Sequence, residues 1–283
     1  MKKLFFVVSI ALLAVFPAFS QKPVSYEVYA LKYATLAHPT PISELVMNGP
    51  EKDSVVMFFM FWLVKGDNGK NILVDAGCSG NLQAAIDFGL TNAIRPDSVL
   101  LEIGLKPTDI TDIIVTHPHW DHINGINLFP NAQIWIQKED YNYYTGLAWQ
   151  KDGKHGGIVK SDILYLVSRN MEGKVTLVDG DDKEIFPGIK VYTGSRHTYN
   201  SQYVGVQSGA DKIIIASDNI WIYYSLEKML PAPSYGTFDP AGYVAAMKRM
   251  KTLASKTDFI IPGHDAKLFT KFPKVTPDII RIR

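Results

Sequence analysis

Short apolar runs recur along this chain, closed by glycine, proline or polar pairs, and they alternate with stretches of helical spacing. Strands are predicted at residues 26–37, 55–64 and 71–74, where β-branched and aromatic residues concentrate. Helical patterning follows at 82–88 and 97–103. Residues 112–115 and 132–136 read as further strands, the second entering a helix at 138–144. Strands are then predicted at 175–178, 190–193, 203–207 and 212–216. A helix spans 240–254, opened by Asp239 as cap and Pro240 in the first turn, and a strand at 259–261 closes the series. So many strands exceed one short sheet. The pattern predicts an α/β fold of two β-sheets packed face to face with helices outside each, and loops at strand ends that carry the chemistry.

Composition narrows the setting. The first residues combine Lys2 and Lys3, an apolar stretch from Leu4 to Phe16 and the small-residue end Ala18-Phe19-Ser20, which predicts a signal peptide over residues 1–20. That apolar core is shorter than a bilayer span needs, so residues 21–283 are expected as one exported domain, periplasmic or secreted, without stable membrane insertion. A retained membrane anchor is the alternative. The single cysteine, Cys78, can form no intrachain disulfide, so the core alone must hold the fold. A formal net charge of +1, with acids and bases interspersed, disfavours nucleic acid as a partner and leaves a small molecule as the expected one. The oligomeric state is open, a dimer included.

Against that background Thr116-His117-Pro118-His119-Trp120-Asp121-His122 stands out, since it holds three of the chain's seven histidines beside a carboxylate. A polar surface loop does not require such a density of ligands, and a metal site does. His117 and His119, one residue apart on an extended segment, point to the same side and suit one cation. Asp121 and His122 face elsewhere and suit a second. Further ligands must come from afar, and His197, Asp218 and His264 each stand at the end of an apolar, strand-like segment.

In this order of residues the chain resembles the metallo-β-lactamase superfamily, whose H-x-H-x-D-H motif is followed by a histidine, an aspartate and a final histidine. The resemblance implies an αββα sandwich. It also implies that His117, His119 and His197 hold one metal, that Asp121, His122 and His264 hold another, and that Asp218 bridges them. Asp75 matches the family's strand-end aspartate, which supports ligands without being one. Two divalent ions are expected, zinc by default, with iron, manganese and cobalt also suited to these donors. Within the superfamily Ser201-Gln202, Leu226-Glu227, Phe238-Asp239-Pro240 and Gly263-His264-Asp265 resemble the N-acyl homoserine lactonase group. That implies a bridging hydroxide which opens a lactone or cleaves a small ester, with Asp121 and Asp218 as catalytic carboxylates. One departure stands out: Trp221 occupies the place of a tyrosine that holds the substrate carbonyl, and an indole cannot act as a phenol. Tyr223 is the catalytic candidate to replace it, with Tyr224 beside it, set against the plainer reading of core or wall aromatics. The same centre could serve a phosphotriesterase, an arylsulfatase or a β-lactamase-type hydrolase. A di-iron oxidoreductase and a non-catalytic metal-binding protein are the readings outside hydrolysis.

Overall fold

The computed structural model describes residues 24–283; the signal peptide expected over residues 1–20 lies outside the described residues. Two sheets face each other. The larger has nine strands. Lys274–Thr276, Ile279–Arg281, Tyr26–Leu36, Phe58–Gly66 and Asn71–Val74 pair antiparallel, Asp112–Ile114, Gln133–Gln137 and Val175–Val178 continue parallel, and the short Leu90–Thr91 pairs with Tyr26–Leu36. The smaller sheet is a meander of Lys183–Phe186, Ile189–Thr193, Gln202–Ser208 and Asp211–Ser217, closed by Ile260–Pro262 running parallel to its neighbour.

The period of two along the strands decides the layering. Val28, Met60, Trp62, Val64, Ile72 and Val74 of the large sheet meet Val191, Val204, Val206, Ile213, Ile215 and Ile261 of the small one in a single buried cluster. Their sequence neighbours turn outward under the helices. Leu73, Ile113 and Ile134 pack with Val99 and Leu100 of the Pro96–Leu101 helix and Leu166 of the Lys160–Met171 helix. Tyr192, Tyr203 and Ile214 pack with Tyr243, Met247 and Met250 of the Pro240–Leu253 helix. Both faces of each sheet are thus covered, which is the predicted αββα sandwich. Among the described residues no helix is long and apolar enough to cross a membrane.

Three elements differ from expectation. The strand predicted at 55–64 is broken: Ser54–Val55 pairs with Thr40–Pro41 in a separate ribbon, and the long strand begins at Phe58. The Lys160–Met171 helix and the C-terminal hairpin carry no strong sequence signal, because the helix exposes Leu164 and Met171 while it buries Asp162, and the hairpin strands Lys274–Thr276 and Ile279–Arg281 are too short to show a period.

Candidate metal centre

Three strands of the two sheets end at one rim, and each end leaves the ordinary backbone regions. Asp75 follows Asn71–Val74 with φ 62°, Ser217 ends Asp211–Ser217 with φ 48°, and Arg196, three residues beyond Ile189–Thr193, has φ 51°. A left-handed non-glycine residue is held against an adverse backbone preference, and such residues collect at functional sites. These turns aim Asp75, Asp218 and His197 at the segment after Asp112–Ile114. There His119 lies on extended backbone at the start of the one-turn helix Trp120–Ile123, which carries Asp121 and His122, and His117 stands two residues before it. His264 follows Ile260–Pro262 and completes the set.

The seven expected ligands converge as two groups. His117, His119, His197 and Asp218 form one, and Asp121, His122, His264 and Asp218 the other, with the donor atoms of each group within 4.8 Å of one another. In the first, His197 Nε2 lies 3.0 Å from His119 Nδ1 and 3.4 Å from Asp218 Oδ2, and His117 Nε2 lies 3.9 Å from the same oxygen. In the second, His264 Nε2 is 3.0 Å and His122 Nε2 3.3 Å from Asp218 Oδ1, while Asp121 Oδ2 is 3.2 Å from His122 Nε2 and 3.6 Å from His264 Nε2. A tetrahedral cation with ligand bonds of 2.0–2.1 Å separates its donors by about 3.3–3.4 Å, and the observed separations scatter around that value.

Hydrogen bonds on the far side of each ring fix which nitrogen carries its proton. His122 Nδ1 donates to Asp75 Oδ2 at 2.8 Å, His197 Nδ1 to the Gly236 carbonyl at 2.7 Å and His264 Nδ1 to the Phe58 carbonyl at 3.0 Å. His117 Nδ1 meets the Thr116 hydroxyl at 2.9 Å, and that hydroxyl in turn donates to Asp75 Oδ2 at 2.9 Å. Each of these four rings therefore turns its Nε2 toward the site, where it can bind a cation once it carries no proton. The Nε2 atoms of His117 and His122 and Oδ1 of Asp218 are buried without a hydrogen-bond partner among the described residues. Buried polar atoms left so are costly, and a cation at each group would satisfy them. The donor set fits two metal ions.

Electrostatics point the same way. Burial drives His117 well below the usual imidazole range, His119 down to about 3 and His197 downward, so this trio is neutral at pH 7. Burial presses on His122 and His264 as well, but the carboxylates beside them, Asp121 and Asp218 for both, pull them upward. Asp218, against its own desolvation, is held well below the carboxylate range by His264 and His122. The two carboxylates thus favour positive charge between them, whether it is carried by these imidazoles or by bound cations.

Asp75 ties the two groups together. Fully buried, it accepts from the Thr116 N–H at 2.7 Å, the Thr116 hydroxyl at 2.9 Å, the Ser217 hydroxyl at 2.8 Å and His122. Gly263 serves by what it lacks, since a Cβ there would lie 2.3 Å from Asp218 Oδ1.

The centre forms the floor of a cavity of about 890 Å³. Leu36, Leu45, Met57, Phe59, Phe88 and Trp120 make an apolar wall on one side, and Tyr144, Lys154 and Phe238 also line the cavity. The expectation for Tyr223 is corrected here. Its ring lies in the core between the sheets with Lys271 Nζ 4.5 Å from the ring centre, and it does not line the cavity. The reason is a tertiary contact: Asp265 Oδ2 accepts the Tyr223 N–H at 2.9 Å, which fixes the start of the Tyr223–Lys228 helix and sends the ring inward. Tyr224 does not line the cavity either, whereas Trp221 does. Sequence reasoning missed Gly157, whose carbonyl accepts the Trp120 N–H at 2.9 Å and whose bare α-carbon lies against His119; only the glycine pair Gly156-Gly157 hinted at it.

The family profile described as the metallo-beta-lactamase superfamily matches residues 60–264. The chain is similar to an N-acyl homoserine lactonase of Bacillus thuringiensis, with 26% identity over 195 residues that span 68% of this chain and 70% of that protein. It is also similar to the N-acyl homoserine lactonase AttM of Azorhizobium caulinodans, at 22% over 240 residues, 80% of this chain and 88% of that one. Among solved structures, a quorum-quenching N-acyl homoserine lactone lactonase shares the fold with a TM-score of 0.70 at 22% identity, covering 92% of this chain and 99% of that one. A hydrolase of the beta-lactamase superfamily, AbOPH, does so with a TM-score of 0.60 at 18% identity, over 80% and 81% of the two chains.

Proposed function

This chain is a metal-dependent hydrolase of the metallo-beta-lactamase superfamily, and from that premise we propose that it opens a lactone or cleaves a small ester at a two-cation centre, with N-acyl homoserine lactones as the first substrates to try. The observation that carries the reading is the sharing of one carboxylate, Asp218, by two complete donor groups at the floor of a half-apolar cavity. His117, His119 and His197 would hold one cation, Asp121, His122 and His264 the other, with Asp218 between them. Zinc suits these donors best. When bound there, such cations would supply hydroxide at neutral pH and Lewis acidity toward a carbonyl oxygen and a leaving alkoxide.

The chain's own groups do the rest. The apolar wall from Leu36 to Trp120 takes the acyl part of the substrate and keeps water from its length. Asp121 lines the cavity and, held below the usual carboxylate range by His122 and His264, is ionised and placed to accept a proton from water and return it to the leaving oxygen. With Tyr223 in the core, the phenols that line the cavity are those of Tyr144 and Tyr235, the latter with its ring centre 6.2 Å from that of Trp221. Export directed by residues 1–20 belongs to the same proposal.

A substrate panel tests it. The purified chain, loaded with zinc, is expected to hydrolyse acyl lactones or aryl esters with kcat/KM roughly 10²-fold above that for phosphotriesters, sulfate esters and β-lactams, because the cavity walls choose the electrophile. A phosphotriester or β-lactam at the head of that ranking would overturn the lactone and ester assignment.

A further inference from the structure

The bridging carboxylate has a partner outside the two ligand groups. Trp221 Nε1 donates to Asp218 Oδ2 at 2.9 Å. An indole nitrogen is a donor only, and the ring is 9% exposed, so this bond forms away from bulk water. The indole is itself clamped. It stands edge-on to His197, with ring centres 5.5 Å apart at 81°, and a Cβ on Gly236 would lie 2.3 Å from its Cη2. Gly236 is also the residue whose carbonyl fixes His197, so one peptide locks both the ring and a ligand. The Trp221 carbonyl accepts the His264 N–H at 2.9 Å, linking the same residue to the second group.

We propose that Trp221 is a positioning residue for the metal centre: its N–H holds the plane of the Asp218 carboxylate, so that Oδ2 serves the His117, His119 and His197 group and Oδ1 the other. The inference rests on the two-cation reading. An aspartate's terminal torsion is broad and roughly two-fold, so nothing in the side chain itself selects this plane. The indole N–H takes one lone pair of Oδ2 and leaves the other for a cation. Bonded in this way, the nitrogen is unavailable to a substrate carbonyl, and the residue acts through Asp218 rather than on substrate.

Zinc titration of the metal-free protein, by competition with a chromophoric chelator, tests the inference. In W221F, which keeps an aromatic wall and removes the donor, one of the two zinc equivalents is expected to bind roughly 10–100-fold more weakly, as when other outer partners of metal ligands are removed. The second equivalent and the melting temperature of the metal-free protein should stay near the wild-type values. G236A, which leaves the N–H in place but pushes the ring, is expected to weaken the same equivalent, and the two losses should not add in the double variant. Two equivalents bound by W221F with wild-type affinity would overturn the proposal while leaving the two-cation reading in place. Wild-type protein binding fewer than two would overturn both.

Discussion

Replacing Asp218 with alanine is expected to lower kcat/KM for the best lactone or ester by roughly 10³-fold or more, about 4 kcal/mol of transition-state stabilisation. The size follows from position. Its two oxygens face different ligand groups, Oδ1 3.0 Å from His264 Nε2 and Oδ2 3.4 Å from His197 Nε2, so a single truncation removes one donor from each. Metal content should fall from two equivalents to one or fewer in the same preparation. The fold should survive, because the sheets beneath the site are held by the apolar cluster between them and not by the ligands. Elemental analysis and steady-state kinetics on one sample check both halves. Retention of two equivalents together with wild-type turnover would remove Asp218 from the centre.

Asp75→Ala is expected to have the largest effect on stability, roughly 3–5 kcal/mol in denaturant unfolding of the metal-free protein. Breaking a buried charged network from one side leaves its partners unpaired. Here the partners are the Thr116 N–H and hydroxyl, the Ser217 hydroxyl and His122 Nδ1, all buried. Metal binding should weaken as well, since His122 loses the acceptor that fixes its tautomer, and His117 loses the Thr116 hydroxyl's anchor at one remove. D75N, with the same shape, should fall between the two, because its NH2 turns donors toward donors. An unfolding free energy of D75A within 1 kcal/mol of wild type, well below that expected loss, would show that this hub is dispensable.

The cluster of candidate ligands was legible in the sequence because its chemistry is unusual at short range: three imidazoles and a carboxylate between His117 and His122 exceed what packing or solubility asks of a loop. His197, Asp218 and His264 were legible through position, each at the end of an apolar run, which the sandwich gathers at one rim. Tyr223 shows where such reading stops. Its direction depends on the bond from its N–H to Asp265, a contact across 42 residues that no local pattern encodes. The same holds for Trp221, whose identity was visible as a departure from the family pattern but whose bond to Asp218 depends on Gly236 leaving room for the ring. The two packed sheets were legible from the number of strands, whereas periodicity did not separate this architecture from other α/β arrangements, since strands such as Phe58–Gly66 are apolar almost throughout. The break before Phe58 was hidden because Val55 and Val56 are as strand-prone as the residues beyond them.

The most direct test of the central claim counts metal. Protein purified without chelator is expected to carry two equivalents of divalent metal per chain, to lose them and its hydrolytic activity together on dialysis against a chelator, and to regain both on adding zinc. Full hydrolysis from a chain holding almost no metal would contradict the account.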